Sequence, residues 1–381
     1  MATTSAALSQ TQLISELQSH GLRLEAATSS VQSRRGGAGP SDHTAVVVGN
    51  RPVMIPIHTS SASSSPYLAS VPDAEGLSTI RRDGIPIARV SLAGKPRFYR
   101  LQTLDGIPYS HIATLHSTDV LATTVLQTCI RYQSRTKTCQ FCSIGQSLAA
   151  GRTIARKTPQ QLAEVARAAV LLDKVKHMVM TTGTPPTPDR GAQIMCESAE
   201  AIKAAVDLPL QAQFEPPDDF AWFKRVRDAG VDTIGMHIEV VTPALRHKLM
   251  PGKATIPMDY YYDAFEAAVE MFGRGQVSTY ILAGLGDTRE ALLETCETLV
   301  DKGVYPFVVP FIPISGTPLE DHPSPSAAFM DSVLAPLGQM LTDAGMRSAD
   351  MKAGCGKCGA CSALASYEVA GKSTVKEGAS V

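Results

Sequence analysis

Between about residues 116 and 345 the chain alternates six times between a short apolar run and a longer amphipathic one. No other feature constrains the fold as tightly. The short runs are VLATTVLQ, HMVMTTG, LPLQAQFE, VDTIGMHIEV, QVSTYILAG and YPFVVPFI. Each leads into a helical pattern such as QQLAEVARAAVLLDK or DTREALLETCETLVDKG. Strand–helix alternation of this kind implies an α/β fold, a parallel sheet with right-handed crossovers. Six units are too few to close an eight-fold barrel, so the expectation is a partial (β/α)6 barrel with its active site at the C-terminal strand ends. A flat doubly wound sheet is the alternative.

The flanks read differently. Residues 1–35 are expected to form a flexible or helical N-terminus, with one short helix at TQLISELQSHG and then a polar run through Arg34, Arg35 and Gly36. Residues 36–115 read as a small β-rich region. AVVVGNRPVMIPI suggests two strands about a Gly-Asn turn, and GIPIARVSLAGKPRFYRL a second hairpin. Residues 346–381 form a C-terminal cysteine-rich segment, carrying CGKCGACS from Gly354, and a polar tail that is expected to fray.

Composition removes several classes. A hydrophobic content of 44% with 19% charged residues suits a chain with a full core. The formal charge of −1 supplies no basic field for nucleic acid. No run is long and apolar enough to span a membrane, and MATTSAALSQTQ lacks the basic and apolar regions of a signal peptide. Eight cysteines are too sparse for a disulfide scaffold. Six of them fall in two tight groups, which points to metal binding in a reducing cytoplasm.

Buried parallel strands should be apolar throughout. In LPLQAQFE, however, Gln211, Gln213 and Glu215 alternate and so share one face. In VDTIGMHIEV, His237 and Glu239 do the same near the strand's C-terminal end. These faces belong either to a solvated edge strand or to a polar barrel lumen that holds a polar ligand, with the carboxylates at its mouth. The central place of both runs in the chain favours the lumen.

Cys129, Cys139 and Cys142 follow the first predicted strand in TCIRYQSRTKTCQFCSIG. A [4Fe–4S] cluster ordinarily takes four cysteines, and a structural zinc four Cys/His ligands. Three thiolates leave one metal position open to something that is not protein. Free or zinc-bound cysteines are the plainer reading. The second group, Cys355, Cys358 and Cys361 in AGCGKCGACSAL, has Cys-x2-Cys-x2-Cys spacing with glycines before and between. Tight loops of this kind recur in ferredoxin-type iron–sulfur sites, where glycine lets the backbone wrap the cluster. A zinc site with a fourth ligand from elsewhere, or a reducible thiol pair, are the alternatives. Cys196 and Cys296 lie on predicted helices among small or apolar neighbours and read as packing.

In this order along the chain, these motifs resemble those of the radical S-adenosylmethionine (SAM) enzymes. The core, residues 116–345, is most similar to the biotin synthase and hydrogenase-maturase branch. Cys139-Gln140-Phe141-Cys142 matches that family's Cys-x-aromatic-Cys, although nine residues separate the first two cysteines where three are usual. Thr181-Thr182-Gly183-Thr184 stands where the family has a Gly-Gly-Glu-like turn whose backbone binds the methionine amine; here the glutamate and one glycine are missing. HIEVVTPALRHKLMPGK resembles the stretch whose strand-end carboxylate, here Glu239, contacts SAM. Gly284-Leu285-Gly286 and PFIPISGTPLE are similar to turns that pack around the adenine. The wide cysteine spacing, the β-rich leader and the C-terminal cysteines resemble, more narrowly, a bacterial family encoded in nitrilase-centred gene clusters.

The resemblance implies a cytoplasmic enzyme that cleaves SAM reductively at a [4Fe–4S] cluster held by Cys129, Cys139 and Cys142. The 5′-deoxyadenosyl radical would act on a small molecule, in nitrile-related metabolism for the narrower family. Thr182, Gly183, Glu215, Glu239 and Gly284 are then the expected cofactor-binding residues. Cys355, Cys358 and Cys361 are expected to hold a second iron–sulfur cluster or a zinc. A flavodoxin or ferredoxin would supply the electron, and no nucleic acid or membrane is involved. Two rivals stand beside this reading: an iron–sulfur electron-transfer protein without SAM, and a zinc-dependent barrel enzyme.

Overall fold

Sheet pairing orders the molecule. The structure, a computed structural model, describes residues 8–25, 42–134 and 136–370; the polar run at Arg34–Gly36 and the tail beyond 370 lie outside them. Helix α1 (Gln10–His20) begins in a capping box between Ser9 and Gln12 and stops at Gly21, whose φ of 74° suits glycine. Then come β1 (Arg23–Leu24), β2 (His43–Val48), β3 (Arg51–Pro56), α2 (Ser60–Ser63), β4 (Tyr67–Ala69), β5 (Leu77–Arg82) and β6 (Ile85–Leu92). They form a six-stranded sheet ordered β1-β4-β5-β6-β2-β3.

The β2–β3 hairpin turns at Gly49-Asn50 as expected. The other expected hairpin is displaced: β6 pairs with β5 upstream, and RFYR downstream is a 3-10 turn. The cause is Asp83-Gly84, with φ of 49° and 85°. Two successive positive φ values make the two-residue turn whose twist matches a hairpin.

The second sheet carries the six repeats. Its elements are α3 (Tyr109–Ile112), β7 (Thr114–His116), β8 (Val120–Thr124), α4 (Ile144–Ala149), α5 (Pro159–Asp173), β9 (His177–Thr181), α6 (Ala192–Ala205), β10 (Leu210–Gln213), α7 (Ala221–Asp228) and β11 (Thr233–Gly235). They continue with α8 (Pro243–Leu249), α9 (Met258–Phe272), β12 (Val277–Ala283), α10 (Arg289–Asp301), β13 (Val304–Pro310) and α11 (Ala327–Asp343). Strands β8 to β13 are parallel and neighbour one another in chain order, with β7 antiparallel on the outer edge of β8. A doubly wound sheet reverses its strand order at a switch point. This one does not, and the partial (β/α)6 barrel is the architecture.

A six-stranded arc leaves a side open. The last elements, α12 (Cys355–Cys358) and α13 (Leu364–Ala370), pack against β13 and α11 respectively. Ala353, Ala360 and Leu364 are buried, and Glu368 bonds the Tyr305 hydroxyl of β13 and the Ser348 hydroxyl. The leader is stitched to the same segment at one carbonyl. Ala360 O accepts from Met54 N of β3 at 2.7 Å and from Gln18 Nε2 of α1 at 3.0 Å.

Candidate functional site

The first cysteine group lies in the long connection from β8 to α4, and the barrel's own strand ends hold that connection in place. Val125 N donates to Thr181 O (2.8 Å), Gly183 N to Leu126 O (2.8 Å), and Ile130 N to Thr184 O (2.9 Å). On the far side Gln140 N donates to Leu249 O (2.7 Å) and Gly252 N to Lys137 O (3.1 Å). Buried Lys157 gathers the base of the loop, donating to Thr124 O at 2.6 Å and Thr153 Oγ1 at 2.8 Å. Gly183 has a steric reason to be glycine. A Cβ there would stand 2.1 Å from Thr128 O, beside Cys129.

Cys129, Cys139 and Cys142 line one cavity of ≈ 170 Å³ at the C-terminal ends of the strands. Thr182, Gly183, Glu215 and Glu239 line it too, with Gln213 and His237 deeper in the lumen. Of the expected cofactor residues, Gly284 alone is outside this lining; its φ of 104° and the approach of Pro325 account for the glycine. The edge-strand reading of Gln211 and Gln213 is excluded, because β10 sits between β9 and β11 and both side chains are buried.

Each carboxylate of the cavity has a cation that sequence reading missed. Arg131 grips Glu215 through Nη2–Oε2 (2.9 Å) and Nε–Oε1 (3.3 Å), a fork geometry. Lys253 Nζ lies 2.6 Å from Glu239 Oε2. Burial pulls the lysine's pKa down, but Glu239 and neighbouring anions outweigh it, so the ammonium persists. Both cations stand inside quoted motifs, Arg131 two residues after Cys129 and Lys253 at the end of HKLMPGK. A basic residue in a motif otherwise read for its cysteines or its carboxylate was the available signal.

Backbone strain aims Glu239. Its φ is 57°, and Val240 N donates back to Ile238 O at 2.7 Å, closing a γ-turn of the rarer, positive-φ kind. Arg246 Nη1 braces the turn by donating to both flanking carbonyls, Ile238 O at 2.7 Å and Val240 O at 2.9 Å. His237 accepts the Tyr280 N–H at Nδ1 (3.1 Å). Burial pushes its pKa down to about 3, so the ring is neutral with its proton on Nε2.

Gln211 and Gln213 also hold the chain's own second cysteine group. Cys355 N donates to Gln211 Oε1 at 3.1 Å, and Gln213 Nε2 donates to Cys355 Sγ at 3.1 Å. Gly354, with φ of 108°, must be bare there, since a Cβ would come 2.2 Å from Gln211 Nε2. Gly354 N donates to His177 Nδ1 (3.3 Å) and Thr233 Oγ1 to Ala353 O (3.2 Å), so the segment crosses the N-terminal ends of β9 and β11. Gln213 therefore touches both groups: it lines the first cavity and bonds Cys355. A second cavity of ≈ 170 Å³ runs from Phe141 of the first group to Cys361 of the second, past Pro310, Phe311, Ile312 and Ile314 of PFIPISGTPLE.

The donor chemistry fits a metal cofactor at both groups. Burial pushes the Cys142 thiol to about 12, Cys355 to about 11 and Cys358 to about 12, and raises Cys139 and Cys361 well above the ordinary range. Thiols held neutral by burial become thiolates when a metal replaces the proton. Among the described residues no three His, Cys, Asp or Glu side chains converge at the spacing of a single metal ion. Cys296 is fully buried and Cys196 partly so, both on helices away from the two groups.

Comparison with known proteins agrees with the geometry. Residues 136–299 match the model of the radical SAM superfamily. This stretch of the chain carries a radical SAM domain. Over 213 residues the chain is 28% identical to bacteriochlorophyllide c C-7(1)-hydroxylase of Chlorobaculum limnaeum, covering 51% of this chain and 53% of that protein. It thus spans about half the length of that curated relative. Among solved structures it is similar to methylornithine synthase (17% identity, TM-score 0.48, 70% of this chain and 78% of that one). It is also similar to a maturase of the [FeFe]-hydrogenase, HydG (16% identity, TM-score 0.44, 58% and 49%). No helix among the described residues is long and apolar enough to cross a membrane.

Proposed function

We propose that the protein is a radical SAM enzyme that binds a [4Fe–4S] cluster through Cys129, Cys139 and Cys142 and acts on a small molecule. The observation that carries this reading is the company of the three thiols: one cavity holds them beside two buried carboxylate–cation pairs. SAM has a zwitterionic methionine end, a sulfonium and an apolar adenine. A pocket with both signs of charge beside thiolates, and a separate, largely apolar cavity at Phe141, meet all of these. Lys253 and Arg131 are suited to its carboxylate, Glu239 and the backbone at Thr182 and Gly183 to its amine. Glu215, already forked to Arg131, orients that cation. The adenine fits the cavity along Pro310–Ile312, with Gly284 shaping a turn nearby.

When bound, the cluster and SAM supply the 5′-deoxyadenosyl radical; the protein binds, orients and keeps water out. Neutral His237 and the amide of Gln213 are the lumen groups that can hydrogen-bond a substrate between the strands. Cys355, Cys358 and Cys361 hold a second iron–sulfur cluster or a zinc, beside Gln211 and Gln213. The working compartment is a reducing cytoplasm, with a flavodoxin or ferredoxin as electron donor and substrates in nitrile-related metabolism. The leader, residues 36–115, caps the barrel of residues 116–345, and residues 346–381 carry the second site.

The test is SAM binding at the cluster. In the anaerobically reconstituted protein, adding SAM should change the EPR spectrum of the reduced cluster. A spectrum indifferent to SAM would favour a plain electron-transfer protein, and zinc without iron a zinc-dependent enzyme.

A further inference from the structure

Two charged side chains hold the strained turn at Glu239, and neither lines the cysteine cavity. Arg246 is buried, and its Nη1 donates to Ile238 O and Val240 O, the carbonyls on either side of Glu239. Its Nη2 is buried with no hydrogen-bond partner among the described residues. A guanidinium kept in the core with a donor unsatisfied costs stability, so its place there needs a reason beyond packing. Asp287, also buried, holds the next two residues: Val241 N donates to its Oδ2 at 3.0 Å and Thr242 N to its Oδ1 at 2.9 Å. Strand β12 pins Glu239 itself, whose N donates to Tyr280 O and whose O accepts from Leu282 N. A backbone over-determined in this way can hold a glutamate at a φ of 57°, where it would otherwise relax.

Resting on the reading of Glu239 as a ligand of the SAM amine, we propose that Arg246 and Asp287 are positioning residues for SAM binding. They touch neither SAM nor the cysteines. Their work is to fix the direction in which Glu239 presents its carboxylate. Asp287 directly follows Gly284-Leu285-Gly286, so it also ties that turn to the segment after β11.

The test is a double-mutant cycle on SAM affinity, read by EPR titration of the anaerobically reconstituted full chain. Arg246→Gln should retain the iron and weaken SAM binding by roughly ten-fold, the lower end of what supporting groups contribute at cofactor sites. Arg246→Lys, which keeps a charge and a donor, should recover part of that loss. Asp287→Asn, which keeps the shape and one acceptor oxygen, should also weaken binding. In a chain carrying Glu239→Ala there is no carboxylate to aim, so neither Arg246→Gln nor Asp287→Asn should cost further affinity. Losses that persist undiminished beside Glu239→Ala overturn the inference and leave the SAM reading in place. So does native-like affinity in both single variants, or loss of iron from both, which would make the two residues merely structural. A native cluster indifferent to SAM overturns the SAM reading and the inference with it. If Arg246→Gln does not fold, the Asp287→Asn cycle decides alone.

Discussion

Lys253 Nζ and Glu239 Oε2 form an ion pair at 2.6 Å beside the cysteine cavity, with side-chain exposures of 10% and 17%. The carboxylate is aimed by a strained turn and the ammonium by the loop after α8. Neither is free to swing into solvent without leaving the other buried and unpaired.

Glu239→Gln should therefore keep the iron and weaken SAM binding. Loss of one charge-assisted hydrogen bond costs about 1.5–3 kcal/mol, or roughly ten- to hundred-fold in affinity. It should also lower the melting temperature, because removing one partner of a buried pair costs about 3–5 kcal/mol. Glu239→Gln combined with Lys253→Met should recover much of that stability and none of the affinity. Unchanged SAM affinity, by calorimetry or EPR titration, would move Glu239 to a substrate or structural role.

Gly183→Ala tests the seat of the cysteine loop. A methyl group 2.1 Å from Thr128 O cannot be accommodated without moving that backbone, and Cys129 is the next residue. The variant should remain folded by circular dichroism yet retain little iron after reconstitution. Full iron content would mean that the loop has slack the packing does not suggest.

Cys355→Ser, Cys358→Ser and Cys361→Ser together should remove about half the iron if each group holds one cluster. SAM cleavage should continue while substrate turnover fails, giving 5′-deoxyadenosine without product. Point substitutions are the right probe because truncation at Gly354 would also remove core residues such as Leu364 and Glu368. Full iron content in the triple variant would rule out a second metal site.

Acid should loosen the same segment. Burial lowers the His177 pKa to about 4, and its Nδ1 accepts the Gly354 N–H. In the unfolded chain the ring titrates near 6.5, so between these values the unfolded state binds more protons. Stability is present above pH ~6.5 and falls as pH drops toward ~4, by up to about 1.4 kcal/mol per pH unit from this one group. Urea midpoints at pH 7 and pH 5 should show the loss, and His177→Gln should reduce it. An equal loss in His177→Gln would assign the effect to other groups.

The alternation of strands and helices made the barrel legible, because apolar runs of strand length and amphipathic runs of helix length differ in period. The same arithmetic put Gln211, Gln213 and Glu215 on one face of β10. It could not say that Gln211 would bond the backbone of Cys355, which lies 144 residues away. Arg131 was missed for that reason, since its partner Glu215 is 84 residues away; Lys253, 14 residues after Glu239 in one motif, was missed because that motif was read for its carboxylate alone. The leader hairpin was misplaced for a local reason. Asp83-Gly84 is a stronger turn signal than the Gly-Lys-Pro run that follows β6.

The central claim is that three cysteines on one loop generate a radical from SAM. Its most direct measurement is 5′-deoxyadenosine formed by the anaerobically reconstituted protein with SAM and dithionite. The native chain should produce it, and Cys129→Ala, Cys139→Ala and Cys142→Ala should each abolish it together with the radical-site iron, since each removes one of only three anchors. Undiminished 5′-deoxyadenosine from a variant lacking all three cysteines would contradict the account.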